Sequence, residues 1–195
     1  MKRTVMPILV AATLLAVSCN KSEKEEHASG MESKDAAKDQ NEKKFDDTNL
    51  EDDSKFAVNA ADGGMFEVKV AELAKEKATT ERAKELAGHM IKDHSKANDE
   101  LKALAAKKNI SLPDRISEKY QKEYDDLASK TGKEFDKAYI ECMVKDHKED
   151  IDDFKKESEK GKDSEVSAWA LEKLPTLEHH LHMAKEAKDA IEKNN

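Results

Sequence analysis

Apolar residues recur at every third or fourth position along most of the chain, which is the pattern of an amphipathic helix. The pattern falls into four long segments and one short segment that ends near residue 129. We therefore expect an all-α fold with four long helices and a short connecting helix. The long segments cover about 54–78, 80–108, 132–159 and 163–194.

Capping signals separate these segments. Ser111 and Pro113 are typical of the start of the short helix, and Thr131 with Glu134 forms a capping box for the helix that follows. Gly161 predicts the end of that helix. Short loops favour antiparallel hairpins at both ends of the bundle. The connector of about 20 residues is long enough to cross the bundle, so the second and fourth of these five helices are expected to run parallel.

One stretch occurs twice, at residues 89–101 and 142–154, and predicts two matching helical hairpins. The identical positions are Met90, Lys92, Asp93, His94 and Asp99, which recur as Met143, Lys145, Asp146, His147 and Asp152.

The first 18 residues have the composition of a targeting segment. Lys2 and Arg3 precede a largely apolar run over 4–17, which is too short for an ordinary membrane span. The run ends at Cys19 and resembles a bacterial lipoprotein signal, whose cysteine is acylated; ordinary secretion with cleavage near Ser18 is the alternative. We expect a lipid-anchored envelope protein on the outer membrane, facing the periplasm or the cell surface, with its membrane contact through Cys19.

Residues 19–53 are predicted to form a disordered acidic tether between this anchor and a bundle over 54–194. Residues 20–53 hold six lysines against twelve Asp and Glu, with few apolar residues and no period. Such a segment cannot bury enough apolar surface to fold.

The composition narrows the possible functions further. Charged residues make up 40% of the chain and aromatic residues 5%, which suits solvated helices better than β-structure. The net charge of −8 argues against a nucleic-acid partner. If Cys19 is lipidated, Cys142 has no partner for an intramolecular disulfide, and we expect it to pack as a small apolar residue.

Glu67, His94, His147 and His180 each lie on the apolar face of a different long helix. Polar groups in such positions are costly unless they are paired or bind a ligand. One interpretation is a transition-metal site of three imidazoles and one carboxylate, which suits zinc or iron. The other is a buried hydrogen-bond network that fixes the register of the bundle.

Four residues of the repeat can extend this site. Met90 and Met143 lie one turn from the histidines and either fill the core or supply thioether ligands, which would favour copper. Asp93 and Asp146 lie at the edges of the apolar faces. They either orient an imidazole on a neighbouring helix or are solvated and paired with lysines.

No catalytic residue can be assigned from the sequence. A di-iron site in such a bundle needs a Glu three residues before each ligand histidine, but Ile91, Val144 and Leu177 occupy those positions. Signatures of a Ser-His-Asp triad or a P-loop are also absent. An enzyme is therefore the least favoured hypothesis.

Several motifs resemble a bacterial family, the domain of unknown function DUF4142, whose members are often labelled predicted outer membrane proteins. The resemblance implies a ferritin-like four-helix bundle in the cell envelope over about 54–190, and it implies no established activity. The motifs are F-A-V-N-A-A-D-G-G-M-F-E-V-K-V-A-E-L-A over 56–74, Met90-x-x-Asp93-His94, Phe135-Asp136-x-x-Tyr139-Ile140, Met143-x-x-Asp146-His147 and Leu174-Pro175-x-Leu177-x-x-His180-Leu181.

The leading hypothesis from the sequence is an envelope lipoprotein that binds copper, iron or zinc for storage, buffering or stress protection. The alternative is a non-catalytic structural or interaction module whose polar core serves only the fold.

Overall fold

The computed structural model describes residues 24–193 apart from positions 47 and 49, with side chains from Ser33 onward. All the regular secondary structure in this part of the chain is α-helical, so the predicted all-α bundle is confirmed. No helix in it is long and apolar enough to cross a membrane. The helices are α1 (Lys24–Phe45), α2 (Glu51–Lys77), α3 (Glu81–Lys108), α4 (Glu118–Ala128), α5 (Gly132–Lys160) and α6 (Ser164–Lys193).

The four long helices α2, α3, α5 and α6 begin and end within about three residues of the predicted positions, and α6 runs through Pro175 as one helix. The predicted signal segment over 1–18 and the lipidation site at Cys19 lie outside the described residues.

Two buried carboxylates fix how the hairpins meet. Asp136, near the start of α5, accepts hydrogen bonds from the backbone N–H groups of Thr79 and Thr80 at 2.8–3.1 Å, in the turn between α2 and α3. At the opposite end, Asp53 of α2 accepts from the backbone N–H of Lys162 at 3.1 Å, in the turn between α5 and α6. These contacts place the starts of α3 and α5 at the same end, so the two helices run parallel, as the long connector predicts.

Apolar clusters fill the bundle on either side of the polar level, which is the layer that holds the buried side chains of Glu67, His94, His147 and His180. The larger cluster, around Phe66, Met90, Tyr139 and Met143, lies toward the turn between α2 and α3. Two smaller clusters fill the other half of the bundle, one of them around Phe154. The polar residues on the helix faces lie where these clusters meet, at one level along the bundle axis.

The helix α1 corrects the prediction of a disordered tether for the part that the structure describes. Its residues Asn41 and Phe45 are buried, and Asn41 exchanges two hydrogen bonds with the backbone of Ser111, at 2.7 and 2.8 Å. Lys34 reaches the fully buried carboxylate of Asp62 on α2 at 2.8 Å. The folded unit therefore begins before residue 54.

We predict that Phe45→Ala lowers the free energy of unfolding by about 3 kcal/mol, because it removes a ring packed against Ala57, Leu101 and Ile110. Urea denaturation followed by circular dichroism measures the change. Lys43→Ala, an exposed change on the same helix, serves as the control and should alter stability by less than about 0.5 kcal/mol. Equal stability of the Phe45 variant and the wild-type protein would mean that α1 is not docked.

Candidate metal centre

The four polar residues predicted from the helix faces meet inside the bundle. Glu67 comes from α2, His94 from α3, His147 from α5 and His180 from α6. Their exposed fractions are 2%, 6%, 0% and 0%, respectively. A carboxyl group and three imidazoles thus share one buried site between the apolar clusters.

The Glu67 carboxylate lies between two of the imidazoles. Its Oε2 is 2.9 Å from Nδ1 of His94, and its Oε1 is 3.2 Å from Nδ1 of His147. The second contact lacks the angles of a hydrogen bond, so Oε1 of Glu67 and Nδ1 of His147 have no hydrogen-bond partner among the described residues. Glu67 therefore positions both rings, but it leaves Nδ1 of His147 without a hydrogen bond.

A chain of contacts continues from His147 to the edge of the bundle. Nε2 of His147 lies 3.4 Å from Nδ1 of His180, and Nε2 of His180 lies 3.1 Å from the Asp93 carboxylate on α3. Asp93 thus orients an imidazole on a neighbouring helix, which is one of the two roles expected for it.

The three histidines have the spacing of a metal site. His94, His147 and His180 each offer a ring nitrogen, and these three atoms lie within 4.8 Å of one another. Nε2 of His94 is buried and has no hydrogen-bond partner among the described residues. Each ring has one nitrogen 2.9–3.2 Å from a carboxylate, which is Glu67 for His94 and His147 and Asp93 for His180. This is the usual arrangement of metal-bound histidines, whose second nitrogen is held by a carboxylate.

Asp150 joins the site, and the sequence analysis missed it. Together with Glu67 and His147 it forms a second set of ligand atoms within 4.8 Å of one another. Asp150 follows His147 by three residues, so both side chains lie on the same face of α5. That spacing is the signal in the sequence, but Asp150 is not one of the apolar-face positions of α5 from which the site was predicted.

Asp146 corresponds to Asp93 in the internal repeat, but it has different partners. It lies at the side of α5 facing α4, where the Cys142 thiol donates to its Oδ2 at 3.5 Å and to Oε1 of Glu123 at 3.6 Å. Cys142 is buried, but it packs against two carboxyl groups rather than in purely apolar surroundings. This corrects the expectation that it behaves only as a small apolar residue.

Met90 and Met143 are fully buried in the large apolar cluster. The other histidines whose side chains the structure describes lie outside the site. His89 on α3 packs edge-on against His179 on α6, with ring centroids 5.9 Å apart, and His182 is exposed beside Glu186 at 3.5 Å.

Burial sets the protonation of the site. It lowers the pKa of His94 to about 4, and burial together with the nearby His94 lowers the pKa of His180 to about 4. Burial also lowers the pKa of His147. The imidazoles are therefore neutral at pH 7, which is the form that binds a metal ion.

The pKa values of the two carboxyl groups, Glu67 and Asp150, shift upward. Burial, and then the nearby Asp146, raise the pKa of Glu67 well above its usual value. Burial, and then Glu67, do the same to the pKa of Asp150. Without a cation, burial thus disfavours the ionised form of both carboxyl groups.

A family model described as Domain of unknown function (DUF4142) matches residues 22–187, which is most of the chain and includes α1. Neither the curated proteins nor the solved structures contain a significant match.

We predict that Glu67→Gln becomes more stable relative to the wild-type protein as pH rises from about 5 to 8. The folded-state pKa of Glu67 is raised, so its contribution to stability is present at low pH and falls as the unfolded chain ionises above pH 4.5. The neutral amide escapes this loss, which amounts to at most about 1.4 kcal/mol per pH unit.

Urea denaturation of both proteins at several pH values, with a chelator present, measures the difference. Glu76→Gln, an exposed change on the same helix, should show no such trend. A stability difference for Glu67→Gln that stays flat or shrinks with rising pH would contradict the prediction.

Proposed function

The chain belongs to the DUF4142 family, a domain of unknown function, and we propose that its helical bundle binds a transition-metal ion through His94, His147 and His180. The observation that carries this proposal is the convergence of three buried, neutral imidazoles from three helices, with ring nitrogens within 4.8 Å of one another. A single buried histidine is common in cores, whereas three that converge from three helices have the spacing of a set of metal ligands.

The distances suit a first-row metal. Zn–N bonds of 2.0–2.1 Å at tetrahedral angles separate ligand nitrogens by about 3.3 Å. Nε2 of His147 and Nδ1 of His180 are already 3.4 Å apart. One ring nitrogen of His94 lies within 4.8 Å of the other two ligand nitrogens, and its Nε2 has no competing hydrogen bond among the described residues.

The donor set narrows the choice of metal. Three imidazoles with a nearby carboxylate suit zinc, iron or copper, and Glu67 or Asp150 is placed to supply the carboxylate oxygen. Met90 and Met143 lie within the apolar cluster, so the structure gives no support to thioether ligands. A bound cation would also favour the ionised form of Glu67.

We further propose that this site serves metal storage, buffering or stress protection in the cell envelope, on a ferritin-like domain tethered by a lipid at Cys19. The signal-like segment over 1–18 and the cysteine after it support the anchor and the location. The absence of the di-iron Glu motif at Ile91, Val144 and Leu177 supports a binding role over oxygen chemistry.

A structural role is the second candidate, and two contacts favour it. The 2.9 Å contact between Glu67 and His94 and the 3.1 Å contact between His180 and Asp93 connect the helices without any metal. On this account the polar level only fixes the register of the bundle, and exchanging a histidine for leucine would be tolerated or even stabilising.

Isothermal titration calorimetry of untagged protein with zinc, copper(II) and cobalt(II) distinguishes metal binding from the purely structural role. We expect one tight site per chain, and His147→Leu should weaken binding by more than about 100-fold because it removes a ligand. His182→Leu removes an exposed histidine outside the site and should leave the tight binding unchanged.

Failure of the wild-type protein to retain any of these metals after reconstitution and dialysis would refute the metal proposal. A His147→Leu variant that binds as tightly as the wild-type protein would refute the assignment of the site.

A further inference from the structure

Several oxygen atoms converge beside Gly161, in the turn between α5 and α6 and outside the proposed metal centre. A Cβ atom at this glycine would lie under 3.0 Å from Oε1 of Glu157, Oγ of Ser167 and the backbone oxygen of Glu157. The φ angle of Gly161 is −57°, which any residue adopts, so the backbone conformation does not require glycine here. The glycine instead leaves room for oxygens from both helices to approach one point.

The two side-chain oxygens at this point lack partners. Oε1 of Glu157 and Oγ of Ser167 are both buried, and neither makes a hydrogen bond with the other or with any described residue. Glu157 as a whole is only 7% exposed. Native proteins leave few buried polar atoms unpaired, so two such oxygens that converge on one point indicate a place for a bound ligand.

The strongest charges around Glu157 are negative. Burial, and then the carboxylates of Asp53 and Asp52, raise the pKa of Glu157 to about 7. Asp53 is buried and accepts the backbone N–H of Lys162 at 3.1 Å, which holds its carboxylate at this end of the bundle. Carboxyl groups this close repel one another when both are ionised, and a bound cation offsets that repulsion. The charges therefore favour a cation as the ligand.

A groove of about 460 Å³ gives this point access to solvent. Its wall includes Asp53, Glu157 and Gly161, and holds six carboxyl groups and five lysines in all. Lys34 and Lys55 are already paired with acidic residues of α2, at 2.8 and 2.7 Å. The other lysines of the wall are exposed and can turn toward solvent: Lys119, Lys156 and Lys160. A cation can thus reach the buried carboxyl groups together with some of its water.

We propose that Glu157, Ser167 and Asp53 bind a hard divalent cation of the calcium type beside Gly161, with water from the groove completing its coordination. Calcium takes about six to eight oxygen ligands in flexible geometry, and carboxylates, backbone carbonyls and water are the usual ones. All the donor atoms here are oxygens, so this site and the three-histidine site select different classes of ion. A cation here would join α2 to the turn between α5 and α6.

Terbium(III) luminescence tests the inference, because terbium replaces calcium at oxygen sites and is sensitised by a nearby tryptophan. Trp169 is the single tryptophan of the chain. Its ring packs against Phe154 and Phe56, with centroids 5.5 and 6.2 Å apart. Phe154 lies three residues from Glu157, and Phe56 lies three residues from Asp53. We therefore expect saturable terbium luminescence that calcium displaces.

Two matched variants assign the signal to this site. Glu157→Gln keeps the size of the side chain but removes a charged ligand, so it should weaken terbium binding roughly tenfold or more. Glu159→Gln makes the same change at an exposed position of the same helix and should bind terbium like the wild-type protein.

Luminescence that does not saturate, or that calcium fails to displace, would overturn the inference. Equal terbium affinity in the wild-type protein and Glu157→Gln would do the same. If circular dichroism shows that the glutamine variant is unfolded, Ser167→Ala replaces it, because it removes only the unpaired hydroxyl. That variant should weaken terbium binding roughly threefold, and an unchanged affinity would also overturn the inference. The proposal for His94, His147 and His180 is unaffected by either result, since none of these residues belongs to the oxygen site.

Discussion

A carboxyl group buried between two imidazoles is the constraint on which the rest of this bundle depends. Glu67 lies at a level of the core where every long helix contributes a polar side chain, and apolar clusters cover that level on both sides. Such a group is costly to bury unless its neighbours are positioned to pair with it. The fold meets this requirement at its ends, where Asp136 and Asp53 each join one hairpin to the turn of the other.

The same burial that makes the site costly also prepares it to bind a cation. Low polarity keeps the imidazoles of His94, His147 and His180 neutral and favours the protonated form of Glu67. A divalent ion would supply the positive charge that the carboxyl groups lack and would displace their protons. The site is therefore better suited to a metal ion than to a network of ion pairs.

The helices and the inward direction of Glu67 and the histidines could be predicted from the sequence, because helical periodicity determines which side chains share a face. The docking of α1 could not, since it depends on the hydrogen bonds between Asn41 and Ser111, which are 70 residues apart. The repeat suggested equal roles for Asp93 and Asp146, but α3 packs beside α6 whereas this side of α5 faces α4. The partner of each aspartate depends on which helix packs beside it, and the sequence pattern alone does not show which helices are neighbours.

X-ray absorption spectroscopy of the zinc-loaded or cobalt-loaded protein tests the central claim most directly, because it counts the imidazoles bound to the metal. Three imidazole nitrogens from His94, His147 and His180, at about 2.0–2.1 Å, are the result this account predicts. A bound metal surrounded only by oxygen atoms, or a spectrum unaltered when all three histidines are replaced by leucine, would contradict it.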